Sequence, residues 1–191
     1  MSADAEQGEL WIIRHGETEW SRDGKHTSVT ELELTEEGER VARGLVDRLD
    51  GVRFDLVLSS PRRRARRTAE LAGFPDVQVD EDLAEWDYGD YEGLTTPEIR
   101  ESAPGWTVWD DGCPDGETAH DVETRLDRVV ERVRADGGRV LVFSHGHASR
   151  ALAARWLGRP APEGRMFTLD TATISVLAWE REWPAVARWN S

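Results

Sequence analysis

The sequence has a single cysteine, Cys113, in 191 residues. An internal disulfide and a thiolate metal cluster are therefore both excluded. Long apolar runs are missing as well. The longest hold four residues, as in LWII at 10–13 and VLVF at 140–143, far short of the roughly 20 that span a bilayer. The opening MSADAEQGEL has neither a basic start nor an apolar stretch, so no leader is expected and the chain is read as cytoplasmic. Basic charge is in deficit: 24 Lys and Arg face 38 Asp and Glu, a formal net charge of −14. Such a surface repels nucleic acid and anionic lipid. It also repels phosphate, so any anion site here has to be a local cationic island.

Enough apolar material is present for a core. Apolar residues make up 38% and there are 17 glycines, which together lie in the globular range. A chain this long buries roughly 70% of its unfolded surface in one core, and one domain, 1–191, is expected. Three segments share one design. Residues 10–13 lead into Arg14, His15 and Gly16; Leu56, Val57 and Leu58 lead into Ser59, Ser60, Pro61 and a helical stretch from Arg62; residues 140–143 lead into Ser144, His145, Gly146 and an Ala-rich helix over 148–157. Short apolar strands feeding helices through tight turns imply βαβ units and a mostly parallel sheet.

Two further helices are legible. Thr35 caps one running to about Leu49, with Val41, Leu45 and Leu49 on a stripe. Thr118 caps another, with Val122, Leu126, Val129, Val130 and Val133 on its apolar face, ended by Gly137-Gly138. Residues 174–179 read as a late strand. The stretch from Trp86 to Pro114, rich in Gly, Pro, Trp and acids, reads as a long loop with short helical pieces.

Each strand end carries unusual side chains. Arg14 and His15 follow the first, Arg62, Arg63, Arg64, Arg66 and Arg67 the second, and His145 and His147 the third. Ligands of open parallel sheets bind beyond the carboxyl ends of the strands, where helix N-termini add free N–H groups. If the three strands are neighbours, Arg14, His15, an arginine near 64 and His145 converge on an oxyanion site, and phosphate is the commonest such ligand. A neutral imidazole among cations suits a nucleophile, because its protonation is disfavoured. A carboxyl must protonate the leaving oxygen. Glu85 is the first choice, with Asp87 and Glu92 as neighbouring alternatives. Five arginines on one helix cannot all face one pocket; one or two enter and the rest pair with surface acids. Gly16 is expected to turn the backbone tightly beside the ligand. His26 and His120 are read as surface residues, and His147 as a helix cap, a solvated side chain or a functional group of the site. Trp11, Trp156 and Trp179 are read as core, with Trp86, Trp106 and Trp109 as core or substrate wall.

At this point LWIIRHGETEW resembles the signature of the histidine phosphatase superfamily, also called phosphoglycerate-mutase-like, and the likeness runs over nearly the whole chain. LSSPRRRARRTA resembles its second motif and singles out Arg64. LAEWDYGDYEG is similar to the segment that carries the general acid, here Glu85. GET at 116–118 resembles its Gly-Glu-Ser turn, and VFSHGH its second-histidine motif, with His145. The resemblance implies a three-layer α/β/α fold around a mostly parallel sheet, with a lid excursion around residues 86–120. It implies that His15 attacks phosphorus, that Arg14, Arg64 and His145 hold the phosphoryl oxygens, that Glu85 protonates the leaving group, and that no metal or other cofactor takes part. Ser21, where many members have Asn, Thr27 of the loop at 26–28, and Tyr88 are the further substrate contacts it implies. An acidic pH optimum is expected. The stretches WSRDGKHTSVTELELT and AEWDYGDYEGLTTPEIRES are closest to a branch of sugar bisphosphatases and a bacterial acid phosphatase. The expected partner is a small phosphorylated metabolite. The alternatives are a phosphoglycerate mutase or a sugar bisphosphatase of the sedoheptulose-bisphosphatase type. A metallohydrolase using His15, His145, His147 and Glu85, and a non-catalytic phospholigand module, are the readings from other classes. The short interval from Glu85 to His145 favours hydrolysis over mutase chemistry, which must keep water from its phosphoenzyme.

Overall fold

The structure, a computed structural model, describes residues 8–191. Six strands form one sheet: β1 (Glu9–Arg14), β2 (Leu56–Ser59), β3 (Gln78–Val79), β4 (Arg139–Ser144), β5 (Ile174–Glu180) and β6 (Trp183–Arg188), in the order β3-β2-β4-β1-β5-β6. The first four are parallel, while β5 and β6 run antiparallel on one edge. The three strands with reactive ends are therefore direct neighbours, as the expected convergence requires. Neither β3 nor β6 was anticipated. The first has two residues, and the second carries a proline and is largely exposed, so neither shows the two-sided apolar signal of a central strand.

Alternation along the strands builds a core on each face. Leu10, Ile12, Leu58, Val140, Val142 and Leu177 point to one side. There they meet the apolar stripe of α7 (Ala119–Asp136) and Leu152 and Trp156 of α8 (Gly146–Trp156). Ile13, Leu141, Phe143 and Ile174 point to the other. They meet Leu45 and Leu49 of α3 (Leu45–Leu49) and Ala65 and Ala69 of α4 (Arg63–Leu71). The result is the expected three layers. Each fully buried Leu or Ile contributes roughly 2 kcal/mol, so the strand ends are held by many independent contacts.

Helix boundaries follow the capping chemistry. Thr118 and Asp121 form a reciprocal capping box on α7, and Gly137 ends it in the left-handed conformation at φ 73°. The expected single helix from Thr35 is instead two, α2 (Glu36–Arg43) and α3, separated at Gly44, whose N–H bonds back to Arg40 and Ala42. That tighter turn re-aims the chain so that Leu45 and Leu49 both reach the core. Helix α8 starts at Gly146, earlier than expected, with His145 at its cap position.

The segment from Trp86 to Pro114 holds a 3₁₀ turn (Gly89–Tyr91) and the short helices α5 (Thr96–Ser102) and α6 (Val108–Asp111). It is packed rather than open: Trp86, Tyr88, Trp106 and Trp109 are all buried in the larger core. Trp156 is fully buried, and Trp11 and Trp179 are half-buried against the two cores.

Gly16 does not adopt a positive φ. Its requirement is proximity. A Cβ on Gly16 would stand 2.8 Å from the Gly38 carbonyl oxygen, and one on Gly38 would stand 2.2 Å from the Glu17 carbonyl oxygen. The first turn of α2 thus lies directly on the chain that leaves His15. Gly38→Ala is expected to destabilise the fold by at least about 2 kcal/mol and to slow any reaction at His15. Urea unfolding and turnover, measured on the same variant, check both.

Candidate active site

The neighbouring strand ends are stitched by backbone bonds. The His15 N–H donates to Ser144 O at 2.9 Å, and the Ser60 N–H donates to Phe143 O at 2.9 Å. This places His15 and His145 with ring centroids 5.2 Å apart, edge to face. His15 Nδ1 lies 2.7 Å from the Gly16 carbonyl oxygen. A carbonyl only accepts, so the proton is on Nδ1 and the Nε2 lone pair is free. Burial, and then the charges of Arg64 and Arg14, push His15 well below the usual histidine range. The free nitrogen therefore stays unprotonated in mildly acidic solution.

His145 has no exposed surface. Its Nε2 lies 2.7 Å from Ser60 Oγ, and that oxygen also accepts the Arg62 N–H at 3.3 Å. A hydroxyl both donates and accepts; a Ser60 O–H given to Nε2 leaves the His145 N–H on Nδ1. Arg64, also fully buried, gives its amino groups to the carbonyls of Thr27, Ser28 and Thr30 at 3.0–3.1 Å. Arg14 donates to Leu169 O at 2.5 Å. Neither Arg14 nor Arg64 forms a salt bridge among the described residues. Arg14 Nε, Arg62 Nε, Arg64 Nε and His145 Nδ1 are buried without a hydrogen-bond partner. Nitrogens of this kind call for an acceptor, and a tetrahedral oxyanion supplies several. The rest of the arginine run points away as the helical rotation demands: Arg63 meets Glu33, Arg67 meets Glu39 and Glu70, and Arg66 is exposed.

Glu85 is buried at the N-terminus of α8. Its Oε1 accepts the N–H groups of Trp86 at 2.9 Å and Ala148 at 2.7 Å, and its Oε2 accepts the N–H of His147 at 3.1 Å. Arg14 and Glu85 approach each other over Gly146, where an added Cβ would stand 3.5 Å from Arg14 Nε and 3.6 Å from Glu85 Oε2. The chain on either side of Glu85 is clamped by Arg125, which was not singled out from the sequence. It forms a two-point pair with Glu117 and donates to the carbonyls of Asp82 and Ala84, while Glu117 accepts the Asp87 N–H. The alternative acids are committed elsewhere. Asp87 caps Gly89. Glu92 accepts from Ser28 N–H, Ser28 Oγ and Thr30 N–H. Burial opposes the Glu92 charge, but those bonds outweigh it and hold the carboxyl below its usual range.

A cavity of about 150 Å³ is walled by Arg14, His15, Lys25, His26, Glu85 and His147 among others. Ser21 and Thr27 also line it. The Ser21 hydroxyl is engaged with Thr18 in the capping box of α1 (Glu19–Asp23). Tyr88 is buried, and its hydroxyl lies 2.6 Å from His147 Nδ1, so it reaches the cavity through that imidazole. His120 is exposed. His26 is not the expected surface residue. It is buried against Tyr88 and Trp106, because the loop that follows Gly24 folds inward onto the lid. His147 is half-buried between Trp109 and His26 rather than solvated. Among the described residues no group of three or more His, Cys, Asp or Glu is arranged to hold a metal ion, and no helix is long and apolar enough to cross a membrane.

Residues 10–191 match the model of the histidine phosphatase superfamily (branch 1). An acid phosphatase of Mycobacterium tuberculosis is 47% identical over 175 residues, covering 90% of this chain and 86% of its own. A sedoheptulose 1,7-bisphosphatase of Saccharomyces cerevisiae is 38% identical over 180 residues, covering 77% of this chain and 66% of its own. The solved structure of an open reading frame product of Mycobacterium tuberculosis superposes with a TM-score of 0.92 at 44% identity, covering 96% of this chain and 97% of that one.

His15, His26, His145 and His147 are all pushed below the ordinary histidine range, in each case chiefly by burial. In the unfolded chain they take up protons near pH ~6.5. The unfolded state then binds more protons than the native state below that pH, so stability is full above it and falls as pH drops. Relief of acidic self-repulsion acts the other way but is screened at about 0.15 M salt. The expected urea midpoint is level from pH 8 to 7 and declines from 6.5 to 5. A midpoint that rises over the lower interval would contradict the neutral buried imidazoles.

Proposed function

The chain belongs to the histidine phosphatase superfamily, and from that premise we propose that it is a metal-independent phosphatase that hydrolyses small phosphomonoesters through a phosphohistidine on His15. The observation that carries this reading is the His15 tautomer: Nδ1–H is tied to the Gly16 carbonyl, leaving a bare Nε2 among buried guanidiniums that form no salt bridge. Nε2 attacks phosphorus in line. The P–O ester bond breaks, its electron pair goes to the leaving oxygen, and protonated Glu85 supplies a proton there. Arg14, Arg64 and His145 Nδ1–H hold the three non-bridging oxygens and stabilise charge on them in the transition state. Water then attacks the phosphohistidine, gives its proton to Glu85, and releases phosphate and neutral His15. Oε2 is the Glu85 oxygen suited to carry the proton, since Oε1 already accepts two N–H bonds and Oε2 only one.

The paired guanidiniums argue against a catalytic cation in the same cluster, because they repel it. The short chain between Glu85 and His145 argues against a mutase, whose phosphoenzyme has to be shielded from water. The substrates are small phosphorylated metabolites, sugar phosphates or related esters, and the bisphosphatase reading is a choice of substrate within the same chemistry.

Rapid quench with a ³²P-labelled ester should trap one acid-labile, base-stable phosphoryl group per chain, with chelator present, and none in His15→Ala. Label retained by that variant would remove His15 from the mechanism. Glu85→Gln should slow alkyl phosphates by about 10²–10⁴-fold and nitrophenyl phosphate far less, because nitrophenolate leaves without a proton. Equal losses on both esters would reassign the acid.

A further inference from the structure

Two histidines stand beside the reaction centre with no part in the chemistry above. His26 and His147 both line the cavity that holds His15 and Glu85. Their rings stack with centroids 5.9 Å apart and planes inclined by 20°, and Tyr88, Trp106 and Trp109 close around them. Burial above all pushes both imidazoles below the usual range, His147 the further. Each is therefore neutral and carries one N–H and one lone pair.

The hydrogen bonds decide which nitrogen has which. His26 Nδ1 lies 2.9 Å from the Leu94 carbonyl oxygen. That oxygen only accepts, so the proton sits on Nδ1 and Nε2 is a bare acceptor. His147 Nδ1 lies 2.6 Å from the Tyr88 hydroxyl oxygen. Burial keeps that hydroxyl protonated far into the alkaline range, and His147 is its hydrogen-bond partner. The hydroxyl donates to Nδ1, and the His147 proton is left on Nε2. Neither Nε2 meets a protein partner among the described residues, yet neither is among the sealed, unpartnered nitrogens. Both residues line the cavity.

We infer that His26 Nε2 and His147 Nε2–H form an acceptor–donor pair that recognises a substrate hydroxyl close to the phosphate ester, so the enzyme selects polyol and sugar phosphates over plain alkyl phosphates. A hydroxyl fits both nitrogens at once: it gives its hydrogen to His26 and accepts from His147. A carboxylate engages only the donor, and a methylene displaces water from both nitrogens without replacing its hydrogen bonds, which is costly. Tyr88 acts here as a positioning residue, since it sets the His147 tautomer without facing the cavity. The inference rests on the phosphatase reading and names its substrate class.

The test compares kcat/KM for glycerol 3-phosphate and for propyl phosphate, which differ by the two hydroxyls. The native enzyme should prefer glycerol 3-phosphate by about tenfold or more. His26→Phe and His147→Phe keep an aromatic ring but remove the polar nitrogen, and each should bring the ratio toward one. His26→Gln, which retains an acceptor oxygen, and His147→Gln, which retains an N–H donor, should restore part of the preference. The ratio is insensitive to a general loss of rate, so a damaged variant is still readable, and the native ratio stands without any variant. A native ratio near one, or Phe variants with an unchanged ratio, overturns the inference while leaving the phosphatase reading intact. Failure to turn over nitrophenyl phosphate as well would overturn both.

Discussion

Buried positive charge without a carboxylate partner is the constraint on which the site depends. In a chain of net charge −14, acids are available to neutralise almost any arginine, and Arg63, Arg67, Arg125, Arg128, Arg132, Arg139, Arg155 and Arg165 all have one. Arg14 and Arg64 are solvated differently. Their amino groups bond to backbone carbonyls of Leu169, Thr27, Ser28 and Thr30. Carbonyl dipoles offset part of the desolvation cost but cancel no charge. The guanidiniums therefore keep their field for an anion, and that field adds to burial, the larger cause, in pushing His15 and His145 below the usual histidine range.

Two clamps hold the loops against this centre. Arg64 takes the carbonyls of residues 27, 28 and 30, while Glu92 takes the N–H groups of Ser28 and Thr30. One short stretch of chain is thus gripped on its acceptors by a cation and on its donors by an anion, and it carries His26 into the cavity. On the other side Arg125 and Glu117 fix the backbone at Asp82, Ala84 and Asp87. The carboxyl of Glu85 is then set by α8, whose first N–H groups it caps. Glu85, His15 and the two outer imidazoles meet because Arg64, Glu92, Arg125 and Glu117 each bond to backbone groups of sequence-distant segments.

The packed lid gives the cavity its character. Tyr88, Trp106 and Trp109 pack against the two outer imidazoles, so a group that displaces water from either free nitrogen has to replace its hydrogen bond. A wall of this kind discriminates by hydrogen bonding more than by charge. In the proposed reaction the phosphoryl-binding charge is concentrated on Arg14 and Arg64.

Much of this was legible in the residues alone. Apolar quartets ending in Arg-His-Gly, Ser-Ser-Pro and Ser-His-Gly announce parallel strands with a shared functional edge, because a strand buried on both faces can carry polar residues only at its ends. Arg14, His15, Arg64, Glu85 and His145 could be named because each sits within such a signal or in a motif of several residues. Strands β3 and β6 and the break at Gly44 could not be read, since they are set by edge pairing and by packing against the sheet rather than by local periodicity. His26, Ser60 and Arg125 were hidden for a related reason. Each is a polar residue whose importance lies in a partner 41–85 positions away or in a ring brought against it by the lid. Local chemistry determined which side chains could react. The His15 proton is fixed by the neighbouring Gly16 carbonyl, whereas the tautomers of His26 and His147 were decided by tertiary contacts, because their protons go where the distant Leu94 carbonyl and Tyr88 hydroxyl fix them.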